Sequence, residues 1–517
     1  MMNMKYIYNM ILKASVIITL AFCLVSCLEK LPGNAIPEDE GMKTLSDAEQ
    51  TLTGIYSAYM SSGLYSGYLT LLPDIQADLV HAVQGNSNTY GQQWQWDIRP
   101  TGAEYESVYG GLYRVIGRCN FYLDQVEDLR NTLTDADSMM YLDYYTGEVY
   151  CARALAYSEL LKCFCKAYAP EIAQEPELGV ALDSTYFGNK PFKRSTLKES
   201  YAFVLRDLKK AEELLEDAPY GYSAPYFTYG SANALHARTA LYMQDWDTAI
   251  EYSTRMIEDD SYALSTSASY TSGVSPITGQ QKVYNYIDYM WTNDLSTEVI
   301  WMVDYTLTSV GGALGQVFLN FNNNYTYYYP DYVPSEWVLG LYASNDARYN
   351  AYFTNLPTGY AHGLTWPLLT KYFGDETFIS NIIYHVSRPK PMRLAEQYLI
   401  RAEAYCQKQQ YAKGAADIAA LRKARYVGGA SASLNADNWL QTISDERVKE
   451  LYMEGFRLHD LKRWNKGFER KPQTASQPEG SSLRIQAGDH RFVWPVPQNE
   501  IEAPGSGITQ NEGYGSR

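Results

Sequence analysis

The sequence predicts a mainly α-helical protein in which paired helices form a scaffold, with a loop-rich ligand-binding part and a few short β-strands. Three observations lead there. Apolar residues recur at helical spacing through most of the chain, often behind a capping residue. Two distant segments share a helix–turn–helix pattern. Between them, residues 265–335 turn rich in Ser, Thr, Asn, Gly and aromatics.

The chain opens with Lys5, Lys13 and the apolar run "ASVIITLAFCLVS" (14–26), too short to span a bilayer and suited to a secretory leader. Leu24-Val25-Ser26 before Cys27 looks like a bacterial lipobox, whereas Cys23 has bulky Phe22 in that place. The expectation is a leader over 1–26 and a lipid on Cys27; the alternative is an ordinary leader cut nearby. Residues 27–44, with Pro32, Gly33 and Pro37, read as a tether.

Helices follow. "LSDAEQTLTGIYSAYMSSG" (45–63) offers Ser46 as N-cap and Glu49 three residues on, a capping box. Segments 105–129, 147–170 (stopped by Pro170) and 196–217 continue the pattern. "TALYMQDWDTAIEYSTRMI" (239–257) and "EAYCQKQQYAKGAADIAALR" (403–422) align with a one-residue gap and resemble the tetratricopeptide unit, in which small residues let paired helices approach. "TEVIWMVDY" (297–305) reads as a strand, and 311–334 as a long loop of the kind that is usually functional. Residues 442–464 read as one salt-bridged helix, with Glu454–Arg457, Arg457–Asp460 and Asp460–Arg463 at i,i+3. The prolines of 492–514 favour an extended strap. The chain divides into leader 1–26, tether 27–44, an N-terminal region 45–230, and a C-terminal region 231–517 carrying the insertion 265–335, all as one compact fold.

Composition excludes several functions. The chain carries a net charge of −16, and −18 once a leader with two lysines and no acid is removed. That argues against nucleic acid and against adhesion to anionic lipid. Five cysteines remain beyond Cys27, an odd and small number for a disulfide framework, and Cys163-Phe164-Cys165 is poorly spaced for a metal on a helix. They are expected to be buried thiols. The 48 Tyr against 15 Phe stand out. Most are expected to pack and a minority to bind, since tyrosine joins a stiff apolar face to a polar tip.

Catalytic signatures are missing: the six His form no HExxH, and there is no GxSxG, Walker A loop, GxGxxG or CxxC. No catalytic residue, metal or cofactor is expected. A glycosidase needs only two carboxylates, so a surface glycan-degrading enzyme stands as the alternative function. Asp74 and Asp78 are the nearest pair, more suited to capping a loop.

Taken together, lipobox Cys27, "TLSDAEQTLTGIYSAY" (44–59), "LYRVIGRCNFYLDQV" (112–126), "GEVYCARALAYSELLKCF" (147–164), "STEVIWMVDY" (296–305), "MRLAEQYLIRAEAY" (392–405), "ERVKELYMEGFRLHDLKRW" (446–464) and "VWPVPQNEIEAPGSGITQNEGY" (493–514) resemble the SusD/RagB-like nutrient-uptake lipoproteins. Arg-Leu-Ala-Glu at 393–396 and Glu-Gly-Phe-Arg at 454–457 are the most specific runs; Ala503-Pro504 departs from the usual Asn-Pro. The resemblance implies four tetratricopeptide-like helix pairs and a lipid-anchored place on the outer face of the outer membrane. It implies a SusC-like TonB-dependent β-barrel as partner, an oligosaccharide or less often a peptide as ligand, and no enzymatic activity. It transfers no ligand residues. Local chemistry nominates Tyr90, Trp94 and Trp96, in a segment expected to be extended with at least one indole exposed. It also nominates Trp291, Tyr325, Tyr327 and Tyr328, with Gln92, Gln93 and Asn322–Asn324 to bond hydroxyls.

Overall fold

A computed structural model describes residues 41–85, 87–186, 192–321, 327–359, 365–473 and 481–515. The leader, Cys27, Asn322–Asn324 and Tyr325 lie outside the described residues. The principal helices are α1 (Leu45–Tyr59), α2 (Tyr68–Gln76), α3 (Ala103–Arg130), α4 (Ala136–Phe164), α5 (Leu197–Leu215), α6 (Tyr229–Tyr242), α7 (Trp246–Ile257), α8 (Leu394–Gln407), α9 (Tyr411–Arg425), α10 (Trp439–Glu450) and α11 (Arg457–Arg463).

Helix α1 starts two residues earlier than the Ser46–Glu49 box. Thr44 is the N-cap, its hydroxyl accepts from the Asp47 N–H, and the Asp47 carboxylate takes the Thr44 N–H in return. The choice places Ala48, Leu52, Ile55 and Tyr59 on the buried face. Helix α4 also differs from expectation. It begins at an Asp135 cap and stops at Cys165, well before Pro170. Other parts of the chain satisfy its last carbonyls: the Lys462 Nζ donates to Lys162 O and Cys165 O, and the Trp494 N–H to Cys163 O.

The helices form one stack in which α1 packs on α3, and α3 through α9 each pack on the next. The two look-alike segments become the pairs α6–α7 and α8–α9, and they lie side by side although residues 258–391 separate them in sequence. Small residues make this possible. Ala237, Ala240, Ala249 and Ala404 meet in one apolar cluster with Tyr252 and Ile400. Within the second pair a Cβ on Gly414 would lie 2.6 Å from Cys406 Sγ and 2.9 Å from Ala402 O, so a side chain there would push the helices apart.

The segment 258–391 builds a second body from short elements around a core that includes Ile287, Trp291, Phe318, Tyr352 and Leu368 and takes in Leu71 and Ile75 of α2 and Val448 of α10. Strand Val299–Trp301 forms as expected and pairs antiparallel with Met392–Arg393. Tyr332–Pro334 pairs with Val80–Ala82, Phe353–Pro357 with Thr365–Leu369, and Ser269–Val274 with Gln281–Asn285. Part of the expected long loop is thus a helical turn (Gln316–Leu319) and a strand.

The expected single helix over 442–464 is two. Between α10 and α11 the backbone turns left-handed at Met453 (φ 58°) and Gly455 (φ 84°). The turn docks on α2, where a Gly455 Cβ would sit 2.2 Å from Leu69 O. Asp74 accepts the Gly455 and Arg457 N–H groups at 3.1 and 2.8 Å, and Asp78 takes Arg457 Nε and Nη2 at 2.8 Å each. The two aspartates therefore hold a loop. The pairs Glu454–Arg457 and Arg457–Asp460 do not form, because the break turns Arg457 toward α2; Asp460–Arg463 does form, at 2.9 Å. The C-terminal strap is irregular, with helical turns at His490–Phe492 and Gln498–Glu502. Five free cysteines, Cys119, Cys151, Cys163, Cys165 and Cys406, are all buried, and burial pushes their thiols up. Among the described residues no helix is long and apolar enough to cross a membrane.

Candidate functional site

The densest charge in the molecule is internal. Glu298, Arg348, Arg393, Arg425, Glu446 and Glu450 are all buried, and they link the inserted body to the end of the stack. Arg393 reaches Glu298 (2.6 Å), Glu450 (3.0 Å) and Glu454 (3.0 Å); Arg425 reaches Glu298 and Glu450 (2.8 Å each); Arg348 reaches Glu446 (2.8 Å) and Glu450 (2.9 Å). Burial alone would raise the Glu446 carboxyl, but Arg348, Lys449 and Arg422 bring it down to about 2. Glu450 is likewise held well below the usual range by Arg425 and Arg393 against burial. Glu396, at the end of the Arg-Leu-Ala-Glu run, closes a further pair with Arg238 of α6 at 2.6 Å. Both signature runs thus serve architecture. With every charge paired inside the protein, the cluster offers nothing to a ligand.

The candidate site lies in the inserted body, in a cavity of about 620 Å³. One wall is the hairpin Ser269–Val274/Gln281–Asn285. Its register sets Thr271 opposite Tyr284 and Gly273 opposite Lys282, and these alternate residues face the cavity together. The turn is held by Ser275, whose backbone carbonyl accepts from the Gly279 N–H at 2.8 Å. A second wall is the short helix Tyr286–Thr292. Asn285 caps it by accepting the Ile287 and Asp288 N–H groups, and it presents Asp288, Tyr289, Trp291 and Thr292. Residues 370–380 close the far side, with Lys371, Phe373 and Glu376 among them. Tyr270 and Tyr289 lie with ring centroids 4.1 Å apart, so the rim is an aromatic step.

The cations at this cavity are already engaged. The Lys282 Nζ pairs with Asp288 (2.7 Å) and donates to Asn350 O (3.0 Å). Lys371 pairs with Glu454 at 2.9 Å, and burial pushes its ammonium down to about 8. Trp291 sits between Lys371 and Lys390, whose Nζ atoms lie 4.3 and 4.5 Å from its ring. Ring faces, tyrosine hydroxyls and the Asn293–Glu376 pair, in which the Asn293 Nδ2 donates to Glu376 at 3.2 Å, are the groups a ligand can meet.

Of the nominated residues that the structure describes, only Trp291 lines this cavity, and it does so as floor, 2% exposed. Its indole N–H has no acceptor among the described residues. Trp94 and Trp96 are core. They are 1% and 2% exposed, and they donate to Val80 O and Gln76 O at 3.1 and 2.5 Å. Their segment is not extended: Gly91–Trp94 is a helical turn and Trp96 is left-handed at φ 62°. The guanidinium of Arg470 covers Trp94 at 4.6 Å and that of Arg491 covers Trp96 at 5.4 Å. The expected extended segment with an exposed indole is therefore not found. Gln93 is buried beside them, and only Gln92 is exposed. Tyr90 is half-buried, edge-on to Tyr68. Tyr327 is exposed and Tyr328 is buried, its backbone N–H bonded to Pro357 O; neither lines the cavity. Sequence reasoning missed Tyr270, Tyr284 and Tyr289. The signal was present in "YTSGVSPITGQQKVYNY" (270–286), two short alternating runs around a Pro/Gly turn. Among the described residues no group of three or more His, Cys, Asp or Glu could hold a metal ion.

A stack of paired helices carrying a separate aromatic-walled body defines a helical-repeat binding protein. Two family models match it in tandem: one described as "Starch-binding associating with outer membrane" over residues 28–241, and the SusD family model over 317–514. The chain belongs to the SusD/RagB family. A SusD-like protein of Formosa agariphila is 23% identical over 488 residues, 86% of this chain and 88% of that one. The starch-binding protein SusD of Bacteroides thetaiotaomicron is 29% identical over 166 residues, covering 31% of this chain and 28% of that protein. The crystal structure of a SusD superfamily protein from Bacteroides thetaiotaomicron shares the fold with a TM-score of 0.74 at 22% identity, over 90% of this chain and 99% of that one. The cavity hairpin falls between the two matched segments.

Proposed function

We propose that this protein is a surface receptor for an oligosaccharide. Lipid on Cys27 holds it on the outer face of the outer membrane, and it passes its ligand to a SusC-like TonB-dependent barrel without chemical change. The observation that carries the reading is the cavity in a member of this family. Its tyrosines suit the apolar faces of sugar rings, and its hydroxyl and amide groups suit sugar hydroxyls. The ligand class follows the starch-binding relative by analogy. The lipobox at Leu24–Cys27 supports the anchor.

The test is affinity electrophoresis of the purified protein through starch, laminarin, xylan and mannan, with a product assay on each. Retention without turnover is the expected result. Turnover would make the protein an enzyme, and retention of peptides alone would replace the ligand class. In cells lacking the partner barrel, Cys27→Ala should leave the membrane fraction; a variant that stays there contradicts the anchor.

A further inference from the structure

A second groove, of about 280 Å³, lies beside the cavity and is lined by Tyr222, Tyr286, Tyr289, Leu295 and the hydroxyl-bearing Thr266 and Thr297, among others. Tyr289 lines both spaces, so they adjoin at one ring. Tyr270 on the cavity side packs on Tyr289 at 4.1 Å and on Tyr286 at 5.3 Å, which makes the three rings one wall. Tyr222, Tyr286 and Leu295 are 47%, 44% and 43% exposed, so they are available, whereas most tyrosines of the fold are spent on packing.

We propose that the ligand is an uncharged glycan chain that runs out of the cavity, over Tyr289, and along this second groove. The inference rests on the reading of the cavity as a glycan site. Two observations carry it further. The first is adjacency: a compact ligand has no use for a second aromatic groove, while a chain of linked rings meets one ring face after another. The second is charge. Every residue lining the groove is uncharged, and the two lysines of the cavity are already paired with Asp288 and Glu454. A uronate or sulfate would meet Glu376 and Asp288 without a cation to spare, and desolvating such a charge without a partner is unfavourable. Neutral hydroxyls carry no such cost.

The test uses the full protein in two steps. Affinity electrophoresis compares starch, laminarin, xylan and mannan with alginate and polygalacturonate. Calorimetry then follows the oligosaccharides of whichever neutral polysaccharide is retained, from disaccharide to octasaccharide. Wild type, Tyr222→Ala, Tyr286→Ala and Tyr284→Ala are compared, with melting curves to verify folding. Affinity should rise with length, and each groove variant should weaken the long members roughly tenfold while leaving the disaccharide unchanged. Tyr284→Ala should weaken every member. Length-independent affinity, an acidic polysaccharide bound more tightly than any neutral one, or groove variants that bind octasaccharide like wild type would overturn the proposal while the cavity reading stood. Failure of the wild type to retain any polysaccharide would instead overturn the receptor reading, and this inference with it.

Discussion

Two regions of this protein use polar residues in opposite ways. At the junction of the stack with the inserted body, arginines and glutamates are buried together and each satisfies several others, as Glu450 does with Arg348, Arg393 and Arg425. In the cavity, both lysines are paired, with Asp288 and Glu454, and tyrosine rings and hydroxyls stand exposed beside the carboxylate of Glu376. Dense buried charge marks where this chain is held together, and on the proposed reading the exposed aromatics mark where it holds a ligand. The signature runs belong to the first kind, which is why they identify the family and say nothing about the ligand.

The junction should be the easier of the two to break. Arg393→Ala leaves Glu298, Glu450 and Glu454 facing one another in the interior and should cost about 3–5 kcal/mol, or abolish folding. Urea denaturation or soluble yield reads the effect. Arg393→Lys should recover little, because an ammonium lacks the fork that reaches three carboxylates. A melting curve like wild type would mean the cluster is not a lock. Trp96→Ala should cost a similar ~3–5 kcal/mol, through the cavity it leaves against Phe468 and Phe492. A stable variant with weakened glycan binding would return Trp96 to the ligand.

A milder perturbation contrasts two buried carboxyls within the scaffold itself. Glu446, among cations, is held down; Glu148 has the Tyr56 hydroxyl but no cation, and burial pushes it up to about 8. Its folded pKa lies above the unfolded value, so the native state keeps a proton that the unfolded chain has lost. Stability is therefore lost as pH rises from about 4.5 through about 8. Glu148→Gln should flatten that slope and gain about 1 kcal/mol or more on wild type between about pH 5 and pH 8. Equal pH profiles for the two proteins would show that Glu148 ionises freely in the fold.

The helix pairs were legible because their periodicity is local: Trp246, Ala249 and Tyr252 in one segment and Tyr411, Ala415 and Ile418 in the other mark packing faces. That the two pairs would lie side by side across 258–391 was not legible, since the alanines of both segments meet only in three dimensions. The break after Glu450 was hidden for a similar reason. Val448, Leu451 and Leu458 keep helical spacing, while Gly455 answers to Leu69 and Asp74 from nearly 400 residues away. The candidate site was read least well. Trp94 and Trp96 looked exposed beside glutamines, but their indole N–H groups find buried carbonyls of residues 76–80 and arginines from the C-terminal region cover their rings. The family resemblance carried no residues into 269–289, and tyrosines that bind cannot be told by composition from tyrosines that pack.

The most direct test of this division of labour is a joint measurement on the Tyr270→Ala/Tyr284→Ala double variant: calorimetric affinity for the neutral polysaccharide that the wild type retains, and the melting temperature of the same sample. Affinity should fall at least tenfold, with stability within about 0.5 kcal/mol of wild type, because Tyr270 is exposed and Tyr284 half-buried on a surface hairpin. Wild-type affinity in a folded double variant would contradict the account and place the glycan outside the tyrosine-walled cavity.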